Sequence, residues 1–222
     1  LFLAILFLAT SSFAQNVTIQ NGAYKFDVTI NKQTIKNVEL NMGGRHNIEN
    51  TVAAIAIARY LDIDEKKIKS AVSSFQGVKR RFEYVLKNNR HILIDDYAHH
   101  PEELRALITS AKELYPGKKC TIVFQPHLYS RTRDLADGFA EVLAIADEVI
   151  LLPIYPAREL PVEGVNSEMI LNKMDKQQKM VLSKTSLLEL LKKNETELLI
   201  TAGAGDIDLL LAEIKSILVN NN

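Results

Sequence analysis

The hydrophobic pattern of the first third of the chain changes from strand-like to helical. Between Val17 and Met42 apolar and polar residues alternate, which predicts the strands of an antiparallel meander. Asn21-Gly22 supplies the positive φ angles that a tight hairpin turn between two of these strands needs. From Ile48 to Tyr60 and from Asp64 to Phe75 the apolar residues take helical spacing. The first region is therefore predicted to be a β-meander followed by two helices.

Beyond Gly77 the chain alternates between strand patterns and helical patterns. The basic run Lys79-Arg80-Arg81 breaks the periodicity, so we place a domain boundary there, between residues 1–77 and residues 78–222. Apolar segments then recur, each followed by a helical pattern; they are HILIDDY, TIVFQ, EVILLPI, KMVL and ELLITAG. This alternation predicts an α/β domain with a mostly parallel sheet and helices on both faces.

Composition and charge exclude several classes of protein. The 222 residues are 47% hydrophobic and 24% charged, which is typical of a globular chain and not of a disordered or fibrous one. Lys plus Arg and Asp plus Glu number 27 each, so no net charge favours a nucleic acid or an anionic membrane as partner. With one cysteine, Cys120, the chain cannot form an internal disulfide, and we expect this residue in the core.

The first ten residues, LFLAILFLAT, form a strongly apolar stretch. Small residues that suit a signal peptidase follow it, but a basic start is missing. The stretch is also shorter than the roughly 20 apolar residues that a membrane-spanning helix needs. Because residue 1 is Leu, we interpret this start as a truncation and not as an export signal.

Polar segments follow four of the predicted strands. In an open parallel sheet, ligands bind beyond the carboxyl ends of the strands, so these segments are expected to meet at one edge. They run from Asp95 to Pro101, from Gln125 to Arg133, from Pro153 to Glu159 and from Thr201 to Asp206.

Histidine and arginine residues in these segments suggest a site for a phosphorylated ligand. His99, His100 and His127 lie in them, and Pro101 suits the first position of a helix whose free N–H groups attract anions. Arg131 can add a charge-assisted contact to a phosphate or carboxylate. The competing interpretation is that the adjacent histidines only cap the helix.

Other polar features also have structural explanations. Asp95 and Asp96 are neighbours on a strand and point to opposite faces, so one of them reaches the site, and Asp96 is the candidate because it is nearer the strand end. Arg80 and Arg81 are also consistent with a solvated linker. The sequence has neither HExxH nor a similar metal-ligand spacing, so no metal site is predicted, and it has no GxxxxGK[ST] phosphate-binding loop.

Four sequence blocks in this order resemble the Mur ligases. The blocks are GRHNIENTVAA from Gly44, RRFE from Arg80, DDYAHHP from Asp95 and QPHLYSRTRDL from Gln125. The resemblance extends from about Phe13 to the carboxyl end. Mur ligases have an amino-terminal domain for a UDP-sugar, a central P-loop ATPase and a Rossmann-like carboxyl-terminal domain. The resemblance implies that residues 1–77 are the remnant of the central ATP-binding domain and residues 78–222 the Rossmann-like domain.

The DDYAHHP and QPHxYSRT pair is most similar to the family members that join L-alanine to UDP-N-acetylmuramate in peptidoglycan synthesis. This resemblance implies ATP-dependent amide formation through an acyl phosphate, with Mg²⁺ bound mostly by parts of the family pattern that this sequence lacks. UDP-N-acetylmuramate, L-alanine and ATP are then the expected partners. A cytoplasmic location is expected, because a secreted domain would meet neither ATP nor the UDP-sugar.

The resemblance also implies roles for residues of the nucleotide site. Asn47 and Asn50 resemble contacts to adenine, with His46 beside them. Arg81 and Asp96 resemble residues that reach the ATP phosphates or ribose from across the domain boundary.

A second group of residues is implied for the amino-acid site. Tyr97, His99 and Arg131 resemble residues that line the place where the acyl phosphate meets the amino acid, with Arg131 stabilising charge and His99 orienting the amino acid. Leu128 stands where many members carry Arg, so one cationic contact is expected to be absent or supplied by Arg133.

Because the P-loop and the sugar domain are missing from the sequence, the chain alone is predicted not to hydrolyse ATP or ligate alanine. Two alternatives remain open. One is a fragment of the recycling murein peptide ligase, which resembles the chain in the DDYAHHP block and lacks QPHxYSRT. The other is an exported, non-catalytic binding module, which the apolar start supports.

Overall fold

The computed structural model describes residues 12–175 and 178–220, and the chain divides into two compact units between Gly77 and Val78. The apolar start interpreted as a truncation, residues 1–11, lies outside the described residues. Among the described residues, no helix combines the length and the apolar character needed to cross a membrane.

The amino-terminal unit contains the predicted meander and two helices. The tight turn between the first two strands falls at Asn21 and Gly22, which have φ angles of 54° and 69°, as predicted. Strand residues alternate between core and surface, with Tyr24, Phe26 and Val28 buried on one face of the middle strand. The elements are β1 Ser12–Gln20, β2 Ala23–Ile30, β3 Gln33–Leu40, α1 Arg45–Tyr60 and α2 Glu65–Ser74, and the sheet order is β1-β2-β3.

Helix α1 begins three residues earlier than predicted. Gly44 precedes it with a φ of +92°, a conformation that costs glycine little. His46 therefore lies in the first turn of the helix and not in a glycine-rich turn before it.

The carboxyl-terminal unit confirms the predicted mostly parallel sheet. Its strands are β4 Glu83–Lys87, β5 Ile92–Asp96, β6 Cys120–Phe124, β7 Glu148–Leu151, β8 Lys179–Val181 and β9 Leu198–Ala202, in the order β4-β5-β9-β6-β7-β8. β4 pairs antiparallel with β5, and the other pairs are parallel. The strand β4 was not predicted, because its residues are half-buried at an edge and lack a continuous apolar pattern.

Helices cover both faces of this sheet, as predicted. Val123 packs in a core cluster with Leu187 of α7 and Leu218 of α8, whereas the next residue, Phe124, contacts Phe139 of α5 with ring centroids 5.2 Å apart. Successive strand residues point to opposite faces, so these contacts lie on opposite sides. The helices are α3 Pro101–Leu114, α4 Tyr129–Asp134, α5 Ala136–Leu143, α6 Glu168–Leu171, α7 Lys184–Lys193 and α8 Leu211–Asn220, with a 3-10 turn at Ile207–Leu210 before α8.

The position of β9 determines which loops become neighbours. β9 lies between β5 and β6, so the segments after these three parallel strands leave the sheet side by side. A short helix, α4, occupies part of the segment after β6 that was predicted to be a loop. Cys120 is fully buried at the start of β6, as expected.

Candidate active site

The carboxylate of Asp96 shapes the loop that follows β5. Its Oδ2 accepts the backbone N–H of Phe82 at 2.7 Å, and its Oδ1 accepts that of Ala98 at 2.8 Å. Burial raises the pKa of Asp96 above its usual value, although both N–H groups and the charge of Arg81 oppose the rise. The role predicted for Asp96 at the ATP phosphates or ribose remains a prediction.

Asp95, one residue earlier, points to the other side and is fully buried. Its Oδ1 accepts the hydroxyl of Thr201 at 2.7 Å, and its Oδ2 accepts Nε–H of Arg80 at 3.2 Å. Burial raises the pKa of Asp95 from 3.8 to about 6, against the opposing effects of Thr201 and Arg80. The alternation predicted for the two aspartates is therefore present.

Arg80 is not part of a solvated linker, contrary to one interpretation of the basic run. Its side chain is 16% exposed, and beyond the bond to Asp95 its Nη2 donates to the carbonyl of Gly203. The guanidinium carbon also lies 5.0 Å from the ring centroid of Tyr97. Arg81, by contrast, is exposed to solvent.

Tyr97 and His99 lie together on the loop between β5 and α3. Tyr97 is 47% exposed, and its ring packs edge-to-face against the His99 imidazole at 5.4 Å. Nδ1 of His99 lies 2.9 Å from the Tyr97 carbonyl oxygen, and since a carbonyl only accepts, this nitrogen carries the proton. In the neutral ring, Nε2 is then left as an acceptor.

The loop is also held from α3. Oε2 of Glu103 accepts the backbone N–H groups of His99 and His100 at 2.9 and 3.2 Å. Pro101 is the first residue of α3, as predicted, and His100 precedes it at the N-cap. His100 thus has the capping position that one interpretation of the adjacent histidines required, whereas the His99 ring turns back towards Tyr97.

His127 follows β6 and stacks on Tyr155, with ring centroids 5.7 Å apart. Burial lowers its pKa, and the charges of Arg131 and His99 lower it further. The neutral ring is therefore favoured, and its buried Nδ1 has no hydrogen-bond partner within the part of the chain that the structure describes. The His127 ring and Arg131 both follow β6, and the charges of Arg131 and His99 both act on this ring.

Arg131 and Arg133 differ in their surroundings on α4. Arg133 forms an exposed ion pair with Asp134 at 2.8 Å, pointing to the surface. Arg131 is half-buried, and among residues 12–175 and 178–220 its guanidinium has neither a hydrogen bond nor an ion pair. Glu159 fixes the start of the helix by accepting the backbone N–H and the hydroxyl of Ser130.

The turn after β9 completes this edge of the sheet. Gly203 has a φ of +143°, and a Cβ there would lie 2.6 Å from the carbonyl oxygen of Gln125. A Cβ on Gly205 would lie 2.7 Å from Cβ of Tyr155. These glycines therefore permit close packing against the segments after β6 and β7, which a turn alone would not require.

The predicted nucleotide residues of the amino-terminal unit lie in the first two turns of α1. His46 and Asn50 are exposed in the first two turns of α1. Nδ2 of Asn47 donates to the Gly43 carbonyl at 2.7 Å, and Nδ2 of Asn50 donates to Oδ1 of Asn47 at 3.2 Å. The exposed amide of Asn50 suits the hydrogen-bonding edge of adenine, and Asn47 holds that amide in place. Arg81 and Asp96 lie in the other unit.

The sequence predicted Tyr97, His99 and Arg131 at one sheet edge, and they follow β5 and β6 at that edge, but two nearby residues were missed. His127 was placed there without a role, although its position directly after a buried strand was a usable signal. Arg80 was missed because its contacts with residues after β9 span more than a hundred positions of sequence.

Comparison with known proteins identifies the family. The family model described as "Mur ligase, glutamate ligase domain" matches residues 80–211, which is more than half of the chain. The chain belongs to the Mur ligase family. The matched range contains the Mur ligase blocks RRFE, DDYAHHP and QPHLYSRTRDL.

Curated relatives of this Mur ligase chain carry one name. It is 45% identical over 208 residues to the UDP-N-acetylmuramate–L-alanine ligase of Flavobacterium johnsoniae, covering 94% of this chain and 46% of that protein. It is 47% identical over 201 residues to the protein of that name from Cytophaga hutchinsonii, covering 90% of this chain and 43% of that protein. The chain thus spans about half the length of these relatives.

A solved structure agrees with this grouping. The UDP-N-acetylmuramate-alanine ligase of Thermotoga maritima superposes with a TM-score of 0.76 at 28% identity, covering 96% of this chain and 46% of that one. This Mur ligase chain thus has the fold of the matching half of that enzyme.

Proposed function

We propose that this chain is part of an ATP-dependent ligase that joins L-alanine to UDP-N-acetylmuramate in the cytoplasm. The observation that carries the proposal is the position of the Tyr97–His99 ring pair directly after β5 and of His127 and Arg131 after β6, on the two strands that flank β9. The shared name of the curated relatives supports the substrate. In this proposal, residues 1–77 are the end of the central ATP-binding domain and residues 78–222 the carboxyl-terminal domain.

The cluster has the chemistry needed to bind an amino acid beside an acyl phosphate. Arg131, whose guanidinium lacks a partner among the described residues, can neutralise a carboxylate or the charge that develops on the leaving phosphate. Nε2 of His99 is available as an acceptor for the incoming amine. Tyr97 presents its half-exposed ring and hydroxyl at the same edge.

The proposal includes a role for the predicted nucleotide residues. In this proposal His46, Asn47 and Asn50 contact adenine, and Arg81 and Asp96 reach the phosphates or ribose. Mg²⁺ would neutralise phosphate charge when bound. The exposure of His46 and Asn50 and the amide of Asn50 support this assignment.

We expect the 222-residue chain alone to release no phosphate from ATP with L-alanine and UDP-N-acetylmuramate, because it lacks a P-loop sequence.

A chimera tests the ligase function. In this chimera, the matching segment of the Flavobacterium johnsoniae relative is replaced by this chain. The folded chimera should form UDP-N-acetylmuramoyl-L-alanine. Arg131→Gln should lower the rate about a hundredfold, as loss of an electrostatic contact in the transition state does.

Arg90→Gln is the matched control, because Arg90 forms an exposed ion pair with Glu195 before β5, at the other end of the strand. It should leave the rate unchanged. A folded chimera that uses a murein peptide in place of L-alanine would favour the recycling ligase, and one without product would reject the proposal. Turnover by the chain alone would show that the fragment interpretation is wrong. Neither the recycling ligase nor the exported module is favoured by the curated relatives named above.

A further inference from the structure

Arg80 connects the ends of two neighbouring strands. Its Nε donates to Asp95 on β5, and its Nη2 donates to the carbonyl of Gly203 just after β9. Nη1 lies 3.5 Å from both the carbonyl oxygen of Gly205 and Oδ1 of Asp208. The guanidinium is thus held from several directions in one plane, which its fixed fork of donors permits and a lysine ammonium does not.

The same residue also holds Tyr97. The carbonyl oxygen of Arg80 accepts the backbone N–H of Tyr97 at 2.8 Å, and the guanidinium lies 5.0 Å from the centre of the Tyr97 ring. The ring also meets the His99 imidazole in an edge contact, with centroids 5.4 Å apart. Tyr97 therefore contacts both a cation and an imidazole, although nearly half of it is exposed and it lies on a loop.

The backbone of Arg80 is shaped for this contact. Its φ is +58°, a left-handed conformation that is uncommon for a residue with a side chain. Its N–H donates to Oε2 of Glu83 at 2.8 Å, which anchors the turn to the start of β4. Such a conformation persists where surrounding contacts determine it.

We propose that Arg80 is the positioning residue of the amino-acid site, which holds Tyr97, and through it His99, against the ends of β5 and β9. The inference rests on the proposed function for its ligand, L-alanine. Arg80 itself is 16% exposed and its donors face Asp95, Gly203, Gly205 and Asp208, so it acts through Tyr97 and not by touching the substrate.

A simpler role must be separated from this one, because Arg80 also compensates the buried charge of Asp95. Arg80→Gln removes the guanidinium and leaves that carboxylate unpaired, which destabilises a fold on its own account. The double variant Arg80→Gln with Asp95→Asn removes both charges. It restores stability if compensation is the purpose of Arg80, but it cannot restore the cation beneath Tyr97.

The test uses the full 222-residue chain with isotope-labelled tyrosine rings, and Tyr97→Phe assigns the Tyr97 signal. We expect Arg80→Gln and the double variant to shift the Tyr97 ring resonances towards those of a solvated tyrosine. L-Alanine titrated into the labelled chain should bind about tenfold more weakly to both than to the wild-type chain, because the site is less preorganised. Arg90→Gln should change neither measurement.

The outcomes separate the inference from the proposed function. If the double variant recovers both the Tyr97 resonances and the affinity for L-alanine, Arg80 only neutralises Asp95 and the positioning role is rejected. If the wild-type chain binds no L-alanine, the proposed ligand fails, and the Tyr97 resonances still decide whether Arg80 positions that ring. If Arg80→Gln does not fold, the Tyr97 resonances and the L-alanine affinity of the double variant are compared with those of the wild-type chain.

Discussion

Asp95 and Asp96 have the same side chain and adjacent positions, yet the fold gives them different surroundings. Asp96 lies at the open end of β5 and accepts two backbone N–H groups. Asp95 is fully buried and depends on Thr201 and Arg80. Because side chains alternate along a strand, two adjacent aspartates have different roles: Asp96 anchors the loop, and Asp95 is a buried acid.

The buried acid makes stability depend on pH. Burial raises the folded-state pKa of Asp95 from 3.8 to about 6, so the folded state holds this proton more strongly than the unfolded state does. The resulting stabilisation is fully present below pH 3.8 and is lost as the pH rises through about 6. It amounts to about 3 kcal/mol.

We predict that Asp95→Asn abolishes this dependence. The amide oxygen can accept from Arg80 and the amide N–H can donate to the Thr201 hydroxyl, so the bonds are retained without a titrating group. The free energy of unfolding in urea is measured for both proteins from pH 4 to pH 8. As the pH rises, it should fall more for the wild-type chain than for the variant. Parallel curves across this range would show that Asp95 titrates normally.

At the scale of elements, helix α3 is held to the candidate site by a side chain from its own first turn. Glu103 accepts the N–H groups of His99 and His100, so the start of the helix and the loop are fixed together. The sequence contained this information, since Pro101 followed two residues later by an acid is a helix start. It did not contain the start of α4, whose first turn is held by Glu159 from a distant segment.

We predict that Glu103→Ala destabilises the chain by about 1 kcal/mol, as loss of a capping side chain does. Glu102→Ala is the matched control: it removes the same charge from the same turn, but Glu102 is 73% exposed on its side chain and contacts only Arg105 at 3.5 Å among the described residues. Chemical denaturation of the two variants should therefore separate them. Equal losses would mean that helix-terminus charge, and not the bonds to His99 and His100, is what Glu103 contributes.

At the scale of the whole molecule, periodicity predicted the two structural classes but not the strand order. The meander and the parallel α/β sheet follow from alternation and from βα repeats, both of which are local properties of sequence. The insertion of β9 between β5 and β6 joins residues about a hundred positions apart, and the short antiparallel β4 depends on that sheet for its burial. This arrangement brings Arg80 to Gly203, so the sequence predicted candidate site residues but not the contacts that hold them.

The two units are also expected to differ in stability. Among the described residues, the carboxyl-terminal unit has a six-stranded sheet with helices packed on both faces, whereas the amino-terminal unit has three strands and leaves Tyr60, Leu61 and Phe75 about half exposed or more. We predict that residues 78–222 fold independently, because their core lies within that unit. Limited proteolysis of the full chain should leave a resistant carboxyl-terminal fragment, and residues 78–222 produced alone should unfold cooperatively on heating. Digestion of both units at the same rate, with no stable carboxyl-terminal piece, would contradict this, because the sheet would then depend on contacts outside its own unit.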